Sequence, residues 1–247
     1  MFLAEGPQAV REALGSAGAV TELFVTVPAR SKYGDLVSAA IGQGAGVHEV
    51  SGEIMTDLAQ TVTPQGLLAV CSFADVPLAS LIAARPSLLV VLANVRDPGN
   101  AGTVLRTADA AGAQGVIFAG SSVDPYNSKC VRSSAGSLFH LPVTAGGALS
   151  EVAAALRGAG LRVVAADGSA SRRLDDLESS GHLALPTAWL FGNEARGLPG
   201  EALALADDAV AVPIYGRAES LNLAAAAAVC LYASARAQRT VPVCLTC

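Results

Sequence analysis

The stretch that decides the fold reads LLVVLANVRDPGNAGTVLR and runs from Leu88 to Arg106. Its first six residues are all apolar and turn residues follow at once, a pattern typical of a strand buried on both faces of a parallel sheet. Further apolar runs lie at 116–119, 161–166, 188–191 and 209–212, with helical patterns between them at 101–111, 149–158 and 221–236. Strands that alternate with helices predict a mostly parallel α/β sheet with helices on both faces.

The residues before this region predict a separate and smaller α/β unit. Helical patterns at 6–14, 33–41 and 52–59 alternate with strand patterns at 20–27, 47–50 and 67–73. Residues 74–86 carry prolines near both ends and show little periodicity, which is typical of a linker. We therefore expect a small domain over 1–73, a linker over 74–86 and a larger domain over 87–247.

Composition excludes several classes of protein. The apolar fraction of 52% and the charged fraction of 15% exclude a disordered chain and a coiled coil. The net charge of −5 creates no bulk positive field that would attract nucleic acid, so only a local basic patch could bind it. Charged residues interrupt the N-terminal sequence, and the most apolar long stretch, 221–235, is shorter than a membrane span. We expect a soluble, cytoplasmic protein.

The cysteines predict neither a disulfide framework nor a metal site. Their number is five, which is odd, and their spacing fits a reducing compartment better than a disulfide scaffold. Cys244 and Cys247 form a C-x-x-C at the end of the sequence, but no further ligands lie nearby. We expect no bound metal.

Three loops that follow predicted strands combine glycine with amide, carboxylate or guanidinium groups. They span residues 94–106, 191–198 and 213–222. Ligands of open α/β sheets bind at the carboxyl ends of strands, and glycine lets the backbone approach a ligand closely. The sequence lacks the glycine-rich dinucleotide motif, the Walker A motif and the serine-hydrolase elbow, so these classes lose their main support.

The three loops resemble the signature motifs of the SpoU (TrmH) family of RNA ribose 2′-O-methyltransferases, within the SPOUT class. The motifs are N-x-G-x-x-x-R from Asn100 to Arg106, F-G-N-E-x-x-G from Phe191 to Gly197, and a proline followed by S-L-N from Pro213 to Asn222. The first half, ending in the segment 64–70, also looks like the small RNA-binding domain that precedes the catalytic domain in many members.

The resemblance implies a fold, a cofactor and an assembly. It implies a trefoil knot in the C-terminal domain, S-adenosylmethionine as cofactor, and a homodimer with active sites at its interface. A family-like interface buries the last helix, whose alanine-rich face permits close approach to its counterpart. Carried over to this sequence, the cofactor contacts are Gly192, Asn193, Val212, Ile214 and Leu221.

The chemistry of methyl transfer suggests roles for the remaining motif residues. An oxygen nucleophile must lie in line with the methyl group, and the charge that develops on it must be stabilised. Family accounts propose Arg106 as the activating group, which can come from the partner subunit. Since arginine is essentially never deprotonated, we expect it to orient and stabilise the ribose oxygen. Glu194 could accept a proton or orient an amide. The expected positioning residues are Asn100, Ser220 and Asn222, and the expected phosphate contacts are Arg196, Arg217, Lys129 and Arg132.

Several alternatives remain open. Taken singly, Asn100 and Ser220 could be helix caps, and Glu194 with Arg196 a surface pair. The extra N-terminal domain favours ribosomal RNA, 23S above all, with tRNA second. A non-catalytic RNA-binding protein of the same fold, a base methyltransferase of the knotted class and a generic nucleotide-binding sheet are the other candidates. Retention of the motif side chains argues against the first, and the S-L-N and N-x-G-x-x-x-R motifs favour ribose over base.

Overall fold

A computed structural model describes residues 1–240 and contains two sheets. The first is four-stranded, in the order β1-β4-β2-β3, and only β2 and β3 pair in parallel. Its strands and helices are β1 (Phe2–Glu5), α1 (Gly6–Gly15), β2 (Val20–Thr26), α2 (Val27–Lys32), α3 (Gly34–Gly42), β3 (Gly46–Val50), α4 (Gly52–Leu58) and β4 (Leu67–Cys71). The predicted small α/β unit is therefore present, with β1 and α2 as unpredicted additions.

The second sheet has seven strands in the order β7-β6-β5-β10-β8-β11-β9, and every neighbouring pair is parallel. Its elements are α5 (Leu78–Ala83), β5 (Leu88–Ala93), α6 (Pro98–Ala111), β6 (Val116–Ala119), α7 (Ser128–Ser133), β7 (Val143–Ala145), α8 (Leu149–Gly158), β8 (Arg162–Ala166), β9 (Arg172–Arg173), α9 (Leu174–Ser179), β10 (Thr187–Phe191), α10 (Gly200–Leu203), β11 (Asp208–Ala211) and α11 (Leu223–Thr240). The predicted mostly parallel sheet is confirmed. The trefoil knot stays a prediction.

Strand β5 shows why its sequence is continuously apolar. All six of its residues are buried. Leu88, Val90 and Leu92 pack into the hydrophobic cluster on one face of the sheet, whereas Leu89 and Val91 pack into the cluster on the other. Because successive side chains of a strand point to opposite faces, only a strand covered on both sides needs such a run.

The segment predicted as a linker is more structured than expected. It contains α5, whose Leu81 is buried. Before that helix, the backbone N–H of Val76 donates to the carbonyl of Val143 at 2.8 Å, and Asp75 forms a bridge with the same residue. The segment thus extends the edge of the large sheet. Its lack of periodicity reflects a short helix between extended stretches.

The two domains contact each other through aromatic and charged side chains. The ring of Phe2 lies 4.7 Å from that of Tyr126, between centroids. His140 bridges the domains, because one ring nitrogen lies 2.7 Å from Asp109 and the other lies 3.1 Å from Glu12. Hydrogen bonds to these two carboxylates raise the pKa of His140. The small domain is therefore held against the large one by specific contacts.

Helix α11 packs part of its alanine-rich surface within its own chain, and its place in a dimer interface stays a prediction. Ala224, Ala227 and Leu231 are buried, and the helix packs mainly against α6 of the same chain. The alanine-rich face therefore permits close approach within the chain, and the side left exposed carries Val229 and Tyr232. None of the helices in the described part of the chain is long and apolar enough to cross a membrane.

Candidate active site

A cavity of about 640 Å³ opens where β8, β10 and β11 end. Its volume is in the range of small-molecule sites, and its position at the carboxyl ends of parallel strands is where α/β sheets bind ligands. The structure brings together here all the predicted cofactor contacts and two of the predicted catalytic residues, Glu194 and Ser220. The cavity is lined, among others, by Gly192, Asn193, Glu194, Val212, Ile214, Ser220 and Leu221.

The loop after β10 is closed tightly on itself. The backbone groups of Asn193 and Gly197 exchange hydrogen bonds of 3.1 and 2.8 Å, and the Asn193 side chain accepts from the N–H groups of Ala195 and Arg196. A Cβ atom placed on Gly192 would lie 2.5 Å from the carbonyl carbon of Gly197. The absence of a side chain at Gly192 thus leaves room for the loop itself, and the expected contact of this glycine with a cofactor stays a prediction.

One chain of hydrogen bonds joins the three motif loops. Glu194 accepts hydrogen bonds from the backbone N–H groups of Arg96 and Asp97, at 3.2 and 3.1 Å, and from the side-chain amide of Asn100 at 3.4 Å. The Asn100 side-chain oxygen accepts in turn from the Asn222 amide at 3.0 Å. Glu194 thus orients the side-chain amide of Asn100, which is one of the two roles that we expected for it.

The N-termini of α6 and α11 are capped by residues other than Asn100 and Ser220. Asp97 is the N-cap of α6, since its carboxylate accepts from the Asn100 N–H at 2.7 Å. At the start of α11 the Asn222 side chain accepts from the N–H of Ala224 at 2.8 Å. Asn100 and Ser220 therefore do not cap these helices: the Asn100 side chain belongs to the hydrogen-bond chain instead, and Ser220 lines the cavity.

The glycine of the first motif serves helix packing. A Cβ atom on Gly102 would lie 2.3 Å from the carbonyl oxygen of Cys130 and 3.0 Å from the nitrogen of Ser134. These atoms belong to α7 and its C-terminal end, so the absence of a side chain lets α6 lie directly on α7. The spacing N-x-G-x-x-x-R thus combines one polar site residue with one packing residue.

Arg106 is not brought to the cavity by its own chain. It lies on the exposed face of α6 and is absent from the cavity wall. Residues 1–240 offer its guanidinium no hydrogen-bond or ion-pair partner. This placement agrees with an arginine that serves a neighbouring subunit.

The four expected phosphate contacts fall into two groups. Arg196 and Arg217 are exposed in the motif loops, and the described part of the chain contains no ion-pair partner for either. Lys129 and Arg132 are engaged on α7: the Lys129 ammonium lies 2.8 Å from Asp97, and the Arg132 guanidinium lies 3.5 Å from Glu5. Arg196 and Arg217 are therefore accessible for phosphate binding in this structure.

Two residues at the site escaped the sequence analysis. Asn94 has a positive φ of 56°, and its carbonyl accepts from the Asn193 side chain at 3.1 Å. Its own side-chain oxygen accepts from the N–H of Ser121 at 2.8 Å. Asp97 combines the helix cap with the Lys129 contact, and both hydrogen bonds lower its pKa. The signals that could have pointed to them are an asparagine directly after a strand, for Asn94, and an aspartate before a proline at the start of a helix, for Asp97.

The cavity suits a cationic nucleoside better than a metal. Its walls combine apolar side chains with the carboxyl-bearing residues Asp167, Glu194 and Glu219, with Arg173 as counter-charge. S-adenosylmethionine, with its adenosine and its positive sulfonium, fits this mixture. Among residues 1–240 no group of three or more His, Cys, Asp or Glu side chains is placed to hold a metal.

The cysteines of the described residues are not candidates for chemistry. Cys71, Cys130 and Cys230 are free and buried, and burial raises the pKa of each thiol to about 12. Thiols of this kind are inert near neutral pH. The C-x-x-C pair, Cys244 and Cys247, lies outside the described residues.

Known proteins resemble both domains of the chain. Residues 87–232 match the SpoU rRNA Methylase family, and residues 3–77 match the domain described as RNA 2′-O ribose methyltransferase substrate binding. The 23S rRNA (guanosine(2553)-2′-O)-methyltransferase RlmP of Bacillus subtilis is 36% identical over 231 residues, which cover 94% of this chain and 87% of that protein.

Solved structures show the same relationship. The SpoU methyltransferase AviRb from Streptomyces viridochromogenes, in complex with the cofactor AdoMet, superposes with a TM-score of 0.83 at 30% identity, covering 97% of this chain and 91% of that one. A structure concerned with 2-OH methylation of C/U34 on tRNA has a TM-score of 0.51 at 30% identity, and covers 62% of this chain and 96% of that one. The matched motifs, the two matched domains and these likenesses show that the chain belongs to the SpoU family of rRNA methylases.

Proposed function

We propose that this protein transfers the methyl group of S-adenosylmethionine to a ribose 2′-hydroxyl of 23S ribosomal RNA in the cytoplasm. The observation that carries the proposal is the hydrogen-bond chain through Glu194, Asn100 and Asn222, which joins three motif loops beside one nucleoside-sized cavity. Relatives that cover nearly the whole chain are named as 23S rRNA enzymes, whereas the tRNA structure matches only part of it. This difference favours ribosomal RNA over tRNA.

The cofactor would be held by the two loops that wall the cavity. When bound, S-adenosylmethionine supplies a methyl group on a sulfonium. Gly192 and Asn193 would contact it from one loop, and Val212, Ile214 and Leu221 would present backbone and apolar surface from the other. Methyl transfer of this kind requires no metal, because the sulfonium is itself the electrophile.

The residues of this chain would position and polarise the ribose. Arg106 would stabilise the oxygen as negative charge develops on it, acting as a fork of donors and not as a base. Asn100, held by Glu194, and Asn222 would fix the approach of the ribose, with Ser220 at the cavity edge. Arg196 and Arg217 would hold the neighbouring phosphates.

A homodimer would complete the site. Arg106 is exposed and is not part of the wall of its own cavity. Tyr232 of α11 contacts the last turn of the same helix, with its hydroxyl 3.5 Å from the carbonyl of Ala110. On α11, Val229 and Tyr232 are 43% and 47% exposed. Two copies that meet through this face would cover the apolar surface and bring each Arg106 toward the partner's cavity.

Methylation of ribosomal RNA with labelled S-adenosylmethionine tests the reaction. We expect label in 23S rRNA, and a product linkage that resists alkali because its 2′-hydroxyl is blocked. Label in tRNA alone would overturn the substrate, label on a base would overturn the reaction, and binding without transfer would favour the non-catalytic alternative.

Subunit mixing tests the shared site. In a heterodimer of Arg106→Ala with Gly192→Ala, one site has both an intact cavity and an intact partner arginine. Random pairing should therefore restore about a quarter of the wild-type activity from two inactive parents. No restoration, or a monomer in sedimentation at micromolar concentration, would contradict the shared site.

A further inference from the structure

A second open space lies at the same edge of the sheet, on the other side of β5 from the cofactor cavity. It has a volume of about 450 Å³. We call it the aromatic groove and define it by Phe73, Asp75, Gly120, Asp124, Tyr126 and Gly146, which are among its lining residues. It is formed where the small domain, the segment after it and the ends of β6 and β7 come together, and the mechanism above makes no use of it.

The groove contains an aromatic ring that is supported on one side and open on the other. Phe73 is 55% exposed although it is a large apolar residue. Its ring lies 4.6 Å from that of Tyr126 and 6.3 Å from that of Phe2, the latter at an interplanar angle of only 2°. Because neighbours support the ring while half of its surface is free, it offers a planar platform to a further ring.

The support beneath this platform is fixed by hydrogen bonds. The Tyr126 hydroxyl accepts from the N–H of Ala74 at 2.8 Å and donates to the Asp75 carboxylate at 3.1 Å. Burial raises the pKa of Tyr126 to about 12, so the phenol stays protonated and keeps both bonds. The platform is therefore in place before anything binds.

The charges of the groove select against phosphate and in favour of hydrogen-bond donors. Asp75 and Asp124 each use one carboxylate oxygen, toward Tyr126, and no donor among residues 1–240 contacts the other oxygen. No Lys or Arg is among the lining residues. An anion would be repelled, whereas the amino group of a nucleobase is a suitable donor to a carboxylate.

We propose that the aromatic groove binds one unpaired nucleobase of the RNA substrate, stacked on Phe73 with its amino group toward Asp75 or Asp124. This inference rests on the proposed function, because it assumes an RNA substrate. Adenine, cytosine and guanine carry an amino group and uracil does not, so the groove should prefer the first three.

The position of the groove suits a base close to the methylated nucleotide. The strands β6 and β10 are separated by β5 alone, which is two strand spacings or about 10 Å. Asn94 connects the two sites, since it accepts from Ser121 on the groove side and from Asn193 on the cavity side. A base held in the groove would therefore set which nearby ribose reaches the cavity.

A tryptophan in place of Phe73 tests the stacking directly. The single native tryptophan, Trp189, is fully buried, so in Phe73→Trp the new ring is the exposed fluorophore. We expect oligoadenylate and 23S rRNA to quench its emission, and oligouridylate to quench it less. The titration is made without S-adenosylmethionine, so it reports on base binding even if methyl transfer fails.

Removal of the ring tests its contribution to affinity. Phe73→Ala should weaken binding of 23S rRNA about tenfold, the size expected for one lost base stack, and Phe73→Trp should restore it. The loss should appear in KM with kcat unchanged and should not alter the salt dependence, because no phosphate contact is removed. Val62→Ala, at a site that is 98% exposed and outside the groove, is the control and should change nothing.

Three results would overturn the proposal. Emission of the Phe73→Trp variant that is unchanged by RNA, or equal RNA affinities for Phe73→Ala and wild type, would show that no base stacks there. Quenching by polylysine and not by RNA would assign the acidic groove to a basic protein segment. Absence of methyl transfer by the wild-type protein would instead count against the proposed function, independently of the fluorescence.

Discussion

The two loops that wall the cofactor cavity are built in opposite ways. In the packed loop, residues 191–198, the backbone closes on itself between Asn193 and Gly197, and the Asn193 side chain bonds to Asn94. In the exposed loop, residues 213–222, every residue from Ile214 onward is exposed, and Tyr215 is 85% exposed.

This difference separates what the chain determines alone from what it leaves to a partner. The packed loop has its shape set by internal hydrogen bonds and by the room at Gly192, so it is prepared before the cofactor arrives. The exposed loop presents apolar side chains, such as Ile214 and Leu221, to solvent. Cofactor, RNA and a second subunit are the groups that would cover them.

The largest expected effect comes from adding one methyl group to each loop. At Gly192 the added carbon would collide with the backbone of Gly197, whereas at Gly216 it would meet nothing within 4 Å. We expect Gly192→Ala to lose measurable binding of S-adenosylmethionine in calorimetry, while Gly216→Ala binds nearly as the wild type does. Circular dichroism checks that both variants are folded. Equal affinities would show that the two walls do not differ as described.

Arg106→Ala should give the next largest effect, and it acts outside both loops. Loss of one donor to a developing oxyanion typically costs about 10²–10³-fold in kcat. Because Arg106 is absent from the wall of its own cavity and is proposed to contact the ribose oxygen at the partner's site, affinity for S-adenosylmethionine should be unchanged. Arg106→Lys should recover little, since an ammonium does not reproduce the planar fork. Single-turnover methylation with saturating RNA measures this, and a nearly normal rate would show that another residue stabilises the oxygen.

The arginines of the two loops allow a smaller and more direct comparison. Arg196 lies in the packed loop and Arg217 in the exposed loop, and both side chains face solvent. Each substitution by alanine should weaken RNA binding and reduce the salt slope of log Kd by about one, with kcat unchanged. Binding titrations at several salt concentrations measure the slope. An unchanged slope for Arg217→Ala alone would indicate that Arg217, in the exposed loop, does not contact RNA phosphates.

Sequence patterns predicted the large sheet because its strands are buried on both faces. β5 and β10 are almost continuous apolar runs, and a run of this kind is expected for a strand buried on both faces whatever its exact neighbours are. The short elements β7 and α7 were missed, since three to six residues show no period and are held by contacts from distant parts of the chain. Local pattern alone carries no information on those contacts.

The candidate site was predictable where motif and strand end coincide. Gly192 and Asn193 follow β10 directly and line the cavity. The role of Gly102 was not predictable, because it depends on α7, a helix that the pattern did not reveal. Asn94 was missed for the same reason: its bonds to Ser121 and Asn193 join segments far apart in sequence. Arg106 was predicted from its motif, and its absence from the wall of its own cavity appears only in three dimensions.

The smallest expected effect concerns the support behind the packed loop. Asp97 begins α6, and its backbone N–H donates to Glu194, so its charge state bears on the hydrogen-bond chain. The hydrogen bond from Lys129, together with that from the N–H of Asn100, holds the pKa of Asp97 below its usual value of 3.8. A carboxyl whose pKa is depressed by folding adds stability above its unfolded pKa, and this stability is lost as the pH falls through the lower, folded value.

Lys129→Ala should therefore raise the pH at which the protein begins to lose stability in acid. Without the ammonium the pKa of Asp97 returns toward 3.8, so the variant should lose stability at a higher pH than the wild type does. Near neutral pH the difference should be at most about 1 kcal/mol, because the pair is exposed. Melting temperatures across the acid range measure the shift, with Arg196→Ala as a control that leaves the pair intact. If the two profiles coincide and RNA affinity falls instead, Lys129 holds phosphate, and the packed loop does not need its support.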